Sequence, residues 1–276
     1  MSMNKSVRGW FTLFYVLLVV HGCVILSPVI WLFLQSFKNN QEFVASPLAL
    51  PSSFSFANYA SAFPAISRYF LNSLLVVACT LIISLTFSSM AAYGISRMRW
   101  KLSGTFKIMF LLGMMIPVHS IMIPLMVIFS KLKLTDSYIG LIIPYTVFSF
   151  AQAIFILSGF FTGLPRELEE AAVIDGCSIW RCFWRIILPL AKPGIATVAL
   201  FVFNGTWNEL LLGIIFINSD SKKTLPVGLT MFVGPYSTNY GPMIAAIMLA
   251  IIPVAVIYCM FSNQIVGGLT AGSVKG

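Results

Sequence analysis

The sequence predicts an all-α, polytopic integral membrane protein with six transmembrane helices and one cytoplasmic helical segment. Three observations carry this expectation. The 276 residues are 59% hydrophobic and only 9% charged, with a mean hydropathy of +0.94, whereas soluble domains carry about 25% charged residues. Six apolar runs reach about the 20 residues needed to cross a bilayer. Four of the eight carboxylates gather in one polar island, residues 164–190. No soluble fold of this length hides so much apolar surface.

The runs fall near residues 10–35, 69–95, 105–130, 138–162, 193–217 and 241–264, within one transmembrane domain spanning 1–276. The first exceeds a signal-peptide core and is followed by no small-residue cleavage pattern, so it is expected to remain as a signal anchor. Pro28, Pro117, Pro124, Pro144 and Pro253 lie inside the runs. Each removes an amide donor, so kinks or local unwinding are expected there.

Basic residues orient the chain. With both termini inside, eleven of the seventeen cations are cytoplasmic: Lys5, Arg8, Arg97, Arg99, Lys101, Lys107, Arg166, Arg181, Arg185, Lys192 and Lys275. Lys38, Arg68, Lys131, Lys133, Lys222 and Lys223 lie outside. This bias follows the positive-inside rule and puts the polar island in the cytoplasm. The net charge of +9 is thus a topology signal, with membrane lipid, especially anionic headgroups, as a partner. The cations are scattered among loops, so nucleic acid is not an expected partner.

The island reads as two short helices around a glycine. Pro165 suits a first helical position, and Glu167, Glu169 and Glu170 complement the amide dipoles of the first turn. Gly176 can take the left-handed conformation that ends a helix. Ser178 is an N-cap candidate for a second helix, on which Trp180, Phe183, Trp184 and Ile187 form an apolar stripe that Pro189 terminates. Ala171 and Ala172 lack bulk, leaving room for another protein surface.

The order Glu170-Ala171-Ala172, three residues, Gly176, nine residues, Ile186-x-Leu188-Pro189 resembles the cytoplasmic loop of the membrane subunits of binding-protein-dependent ABC importers. Arg68–Ser73, Ala91–Arg97, Met115–Pro117, Ile123–Leu125, Leu134–Tyr145 and the tail Gly268–Gly276 are similar to the carbohydrate-uptake branch, in particular its smaller, maltose-type permease. The resemblance implies a bacterial cytoplasmic-membrane permease forming half of a translocation pathway. It implies that residues 164–190 are the coupling helix, with Glu170, Ala171, Ala172, Asp175 and Gly176 facing a cytoplasmic ATPase. The implied partners are a second homologous permease, two ATPase subunits that carry ATP and magnesium, and an extracytoplasmic solute-binding protein. That protein docks partly on residues 36–68 and 218–240. Alternating access, driven by ATPase closure, is the implied mechanism.

Within the spans, Asn204-Gly205-Thr206-Trp207-Asn208-Glu209 is the densest polar group. Asn204 and Asn208 are four apart and share a helix face. Amides beside an indole suit a sugar, whose hydroxyls need paired donors and acceptors while its C–H faces stack on the ring. The same residues equally suit hydrogen bonding between helices. Glu209 must pair, protonate or meet water, since an unpartnered carboxylate in the bilayer costs several kcal/mol. His119 and Ser120, between Pro117 and Pro124, mark a second candidate lining of the pathway.

Missing motifs exclude other classes. The chain contains no Gly-Lys dipeptide and hence no P-loop, nor G-x-G-x-x-G, H-E-x-x-H or G-x-S-x-G, so no catalytic residue and no cofactor site is assigned. Cys23, Cys79, Cys177, Cys182 and Cys259 form no C-x-x-C pair, and His21 and His119 lack metal-ligand spacing. Two alternatives are kept. An ion-coupled secondary transporter would use Glu209 and His119 as proton carriers. An intramembrane hydrolase would need a serine, metal or paired-aspartate arrangement that the spans do not offer.

Overall fold

The computed structural model describes residues 5–234 and 238–271. Lys275 and the end of the 268–276 tail lie outside the described residues. The described chain is helical: α1 (Lys5–Gln35), α2 (Asn40–Ala45), α3 (Ala57–Ser96), α4 (Ser103–Gly113), α5 (Val118–Lys131), α6 (Tyr138–Gly163) and α7 (Glu167–Ile174). Then follow α8 (Ile179–Leu190), α9 (Lys192–Trp207), α10 (Leu211–Phe216), α11 (Leu225–Leu229) and α12 (Tyr240–Ala271). Among the described residues, α1, α3, α6 and α12 are long and apolar enough to cross a bilayer. Two bent pairs, α4–α5 and α8–α9, pass the same test together.

Three expected spans differ in form. The run at 69–95 belongs to a helix beginning at Ala57, because Pro64 lies within the helix without ending it. The run at 105–130 is two helices bent by 96°. Pro117 is the N-cap of the second, where its missing amide and extended backbone suit a helix start. The run at 193–217 is interrupted after Trp207, and Glu209 sits in the break.

Contacts divide the chain into two units, residues 1–66 with 229–251, and 67–228 with 252–276. In the first, α1 leads into a polar knot. Asn58 donates from Nδ2 to the carbonyls of Ser36 at 2.7 Å and Lys38 at 2.8 Å. The wholly buried Lys38 ammonium donates to Ser46 O at 2.7 Å. Phe37 seals this knot, its ring 5.2–5.9 Å from those of Phe33, Phe54, Phe56 and Tyr59. Tyr240 stacks on Phe43 at 4.7 Å.

The second unit is organised on α6, which packs against α4, α9 and α10. One apolar cluster joins α3 and α6 to the island and α9 through Ala92, Ile154, Leu157, Phe161, Phe183, Ile187 and Val198. Another joins α3, α5, α6 and α10 through Val76, Phe129, Leu141, Tyr145, Leu212 and Phe216. A Cβ on Gly194 would lie 2.6 Å from the Phe160 ring, so glycine is what lets α9 approach α6 this closely. Beyond α10, Asp136 binds the following turn. It accepts from Ser219 N at 2.8 Å, from the Ser219 hydroxyl and from Lys222 Nζ at 3.2 Å. Ser219 above all, then Lys222, hold the Asp136 carboxyl well below the usual carboxylate range.

Candidate functional site

The polar island folds as α7, a glycine turn and α8. Glu167, Glu169 and Glu170 occupy the first turn of α7, and Pro165 precedes the helix rather than starting it. Gly176 has φ +73°. Its amide donates to Val173 O at 3.0 Å and that of Cys177 to Ala172 O at 2.8 Å, so the last carbonyls of α7 are satisfied by a left-handed cap. Ser178 then accepts from Arg181 N at 3.4 Å and starts α8.

Inside α8, residues Phe183–Ile187 form a π-helical turn, and the last short segment is Leu188–Leu190, with Pro189 in its first turn. Contrary to the expected stop, the helix continues to Leu190, because a proline in the first turn of a new segment has no intrahelical donor to lose. The π-turn also divides the expected apolar stripe. Phe183 and Ile187 are buried, whereas Trp180 and Trp184 are 59% and 45% exposed.

Of the five island residues proposed to meet an ATPase, Glu170, Ala171, Asp175 and Gly176 are exposed and Ala172 is buried. Ala172 therefore faces the protein interior. Val173 and Ile174 are more prominent, at 62% and 85% exposed. What the sequence reading missed is the anchor. Arg97, at the end of α3, is buried and forms an ion pair with Glu169 of α7, NH2 to Oε2 2.6 Å. Its NH1 also donates to Phe161 O at 3.2 Å and Leu164 O at 2.8 Å, and NH2 to Pro165 O at 3.2 Å. One planar guanidinium thus ties α3, the end of α6 and α7 into one rigid joint. Arg97 stood in a family-like segment, but its partners are 64–72 residues away and leave no local signal.

The break between α9 and α10 is built around Glu209. Its carboxylate accepts from Tyr145 OH at 2.6 Å, Leu212 N at 2.8 Å and Gly213 N at 3.2 Å. It therefore caps the half-helix α10, satisfying amides that the interruption leaves bare. Beside it, Ser149, Gln152, Gly205 and Thr206 line a cavity of about 210 Å³ together with Val118 and Tyr145. Trp207 is not among the lining. It is buried, stacked on Phe203 at 5.6 Å and edge-on to Phe70 at 5.4 Å, so packing inside the protein takes the ring faces expected to meet a sugar.

Asn204 and Asn208 do share a face. Asn208 donates from Nδ2 to Asn204 Oδ1 at 2.9 Å, and both are exposed. His119 and Ser120 are exposed in the first turn of α5, next to the cavity residue Val118. Among the described residues no three His, Cys, Asp or Glu side chains cluster to hold a metal ion.

Residues 84–264 match the model of the binding-protein-dependent transport system inner membrane component, and the chain belongs to that family. It is 34% identical over 275 residues to the diacetylchitobiose uptake system permease protein NgcG of Streptomyces coelicolor, covering 98% of this chain and 91% of that one. It is 35% identical over 271 residues to the arabinooligosaccharides transport system permease protein AraQ of Bacillus subtilis, covering 96% and 95%. Among solved structures, a chain of a bacterial ABC transporter that imports alginate superposes with a TM-score of 0.84 at 23% identity, over 96% of this chain and 99% of that one. The protein is a membrane permease subunit of an ABC importer and not an enzyme. This family membership sets aside the ion-coupled and hydrolase alternatives.

Proposed function

We propose that the chain is one of two permease subunits of a bacterial carbohydrate importer. In this reading each bent pair is a single span, giving six, and both termini are cytoplasmic. Helix α7 is the coupling helix of a cytoplasmic ATPase dimer that carries ATP and magnesium. A solute-loaded binding protein docks on the opposite face. The relatives named above are uptake permeases for diacetylchitobiose and arabinooligosaccharides, and this supports an oligosaccharide or a related solute.

The observation that carries the reading is the Arg97–Glu169 joint. An exposed α7 on a loose tether would absorb the motion of a bound ATPase. Held by a buried fork of hydrogen bonds to α3 and α6, it passes that motion to the spans. On the pathway side, Glu209 keeps the interrupted α9–α10 span open as a preformed cap, while Asn204, Gln152 and Thr206 present amide and hydroxyl groups suited to sugar hydroxyls.

The test is to purify the intact assembly with a single cysteine at Ile174 in a cysteine-free background and apply a short cross-linker. Formation of a link to the ATPase, with ATP hydrolysis raised by binding protein loaded with an oligosaccharide, is the expected result. An active assembly in which no position of α7 links to the ATPase would overturn the assignment.

A further inference from the structure

Two apolar grooves flank the junction of α3 and α8. One, of about 350 Å³, is lined by Met90, Tyr93, Met98, Ile179, Trp180 and Phe183. The other, of about 530 Å³, runs along Gly94, Met98, Arg99, Trp100 and Phe106. Met98 lines both. Trp180 of the first groove stacks on the exposed Trp184 ring, with centroids 6.4 Å apart, and Trp100 of the second donates its indole N–H to Gly94 O at 2.9 Å. Indoles of this kind mark the level where headgroups meet hydrocarbon.

The segments that line the grooves carry charge of one sign, and Glu169 of α7, which reaches Tyr93, is paired with Arg97. Arg99, Lys101, Lys107, Arg181 and Arg185 are exposed, and residues 90–110 and 177–192 contain no carboxylate. Among the described residues, the ion pairs are Arg97–Glu169, Lys222–Asp136 and Lys223–Asp220, so none of these five cations has a carboxylate partner. Arg181 and Arg185 stand four apart, as do Trp180 and Trp184.

We propose that the first groove binds an anionic phospholipid, its acyl chain along Met98, Ile179 and Phe183 and its phosphate held by Arg99, Arg181 and Arg185. The headgroup then sits directly after the Gly176 turn, where it stiffens the hinge between α7 and α8 and makes ATPase coupling depend on anionic lipid. The assignment rests on the cytoplasmic placement of the island.

The experiment uses the whole assembly in nanodiscs of phosphatidylcholine, with and without phosphatidylglycerol, read in two ways. Native mass spectrometry counts retained phosphatidylglycerol. Quenching by brominated phosphatidylglycerol reports its approach to the Trp180–Trp184 pair, by difference against a double phenylalanine variant. A basic side chain at an anionic surface contributes about 1 kcal/mol, so each of R99Q, R181Q and R185Q should weaken retention about fivefold. R181K and R185K should restore it. Retention unchanged in the triple glutamine variant, or quenching absent because a partner subunit covers the indoles, would overturn the proposal. An assembly that binds the lipid yet shows no stimulated ATPase in any lipid would instead contradict the importer reading and leave the lipid site standing.

Discussion

Arg97 and Glu209 show how one charged side chain can set the behaviour of a much larger piece of chain. Removing Arg97 strands Glu169 and three carbonyls, and breaking a buried pair by deleting one partner costs about 3–5 kcal/mol. Arg97→Ala should therefore lower the yield and thermal stability of the assembly. Arg97→Lys should fail to restore them, since an ammonium cannot reproduce a planar fork that reaches four acceptors; a lysine variant with normal stability and coupling would refute the joint. Glu209→Gln keeps an acceptor for the amides of Leu212 and Gly213, whereas Glu209→Ala leaves them and Tyr145 OH unpaired, at about 1–3 kcal/mol for each buried donor. The alanine variant is expected to lose assembly yield and the glutamine variant to retain it. Equal yields with altered solute dependence would assign Glu209 to the solute instead. Asp136 adds a pH dependence: its native pKa is depressed, mainly by Ser219. Its contribution is present above the unfolded carboxylate value of about 4 and is lost as pH falls below it. Thermal stability of the wild type minus that of Asp136→Asn should be constant from pH 8 to 5 and shrink under stronger acid.

At the scale of the element, the turn at Gly176 and the contact at Gly194 are constrained for different reasons. Nothing lies within 4 Å of a Cβ built on Gly176, so only its positive φ resists substitution. A left-handed L-residue costs about 1–2 kcal/mol. Gly176→Asn should couple nearly normally, while Gly176→Val, β-branched and stiffer, should insert in the membrane but fail to stimulate ATP hydrolysis. Gly194→Ala instead drives a methyl into the Phe160 ring and should cost about 1–3 kcal/mol by overpacking, relieved by Phe160→Leu. If the double variant is no more stable than the single one, close packing of α9 on α6 is not the reason for the glycine. Helix breaks obey the same local logic. Proline sets the α4–α5 break, and a carboxylate cap sustains the one between α9 and α10.

For the whole molecule, the spans differ in how much of their surface the chain itself covers. The most apolar stretch of α6 is 44% buried, and that of α1 is not buried at all. Lipid or a second permease must cover α1, and Cys23 on it is exposed. Co-expression with the partner permease should raise the yield of folded chain and slow the reaction of Cys23 with a membrane-soluble maleimide. Identical labelling with and without the partner would leave α1 to the lipid.

The amino-acid sequence by itself determined that the chain is an apolar helical membrane protein, that residues 164–190 form a polar helical island turning at Gly176, and that the family is that of the ABC importer permeases. These follow from composition, from runs measured against bilayer thickness, and from motif spacing, all of which are local along the chain. Only the tertiary structure decided that Arg97 anchors the island, that Trp207 is packing, that Glu209 caps a half-helix against Tyr145, and that the run at 105–130 bends by 96°. Each depends on which groups meet across 60 or more residues, or on whether a proline-containing run kinks or breaks. Hydropathy carries no information about either.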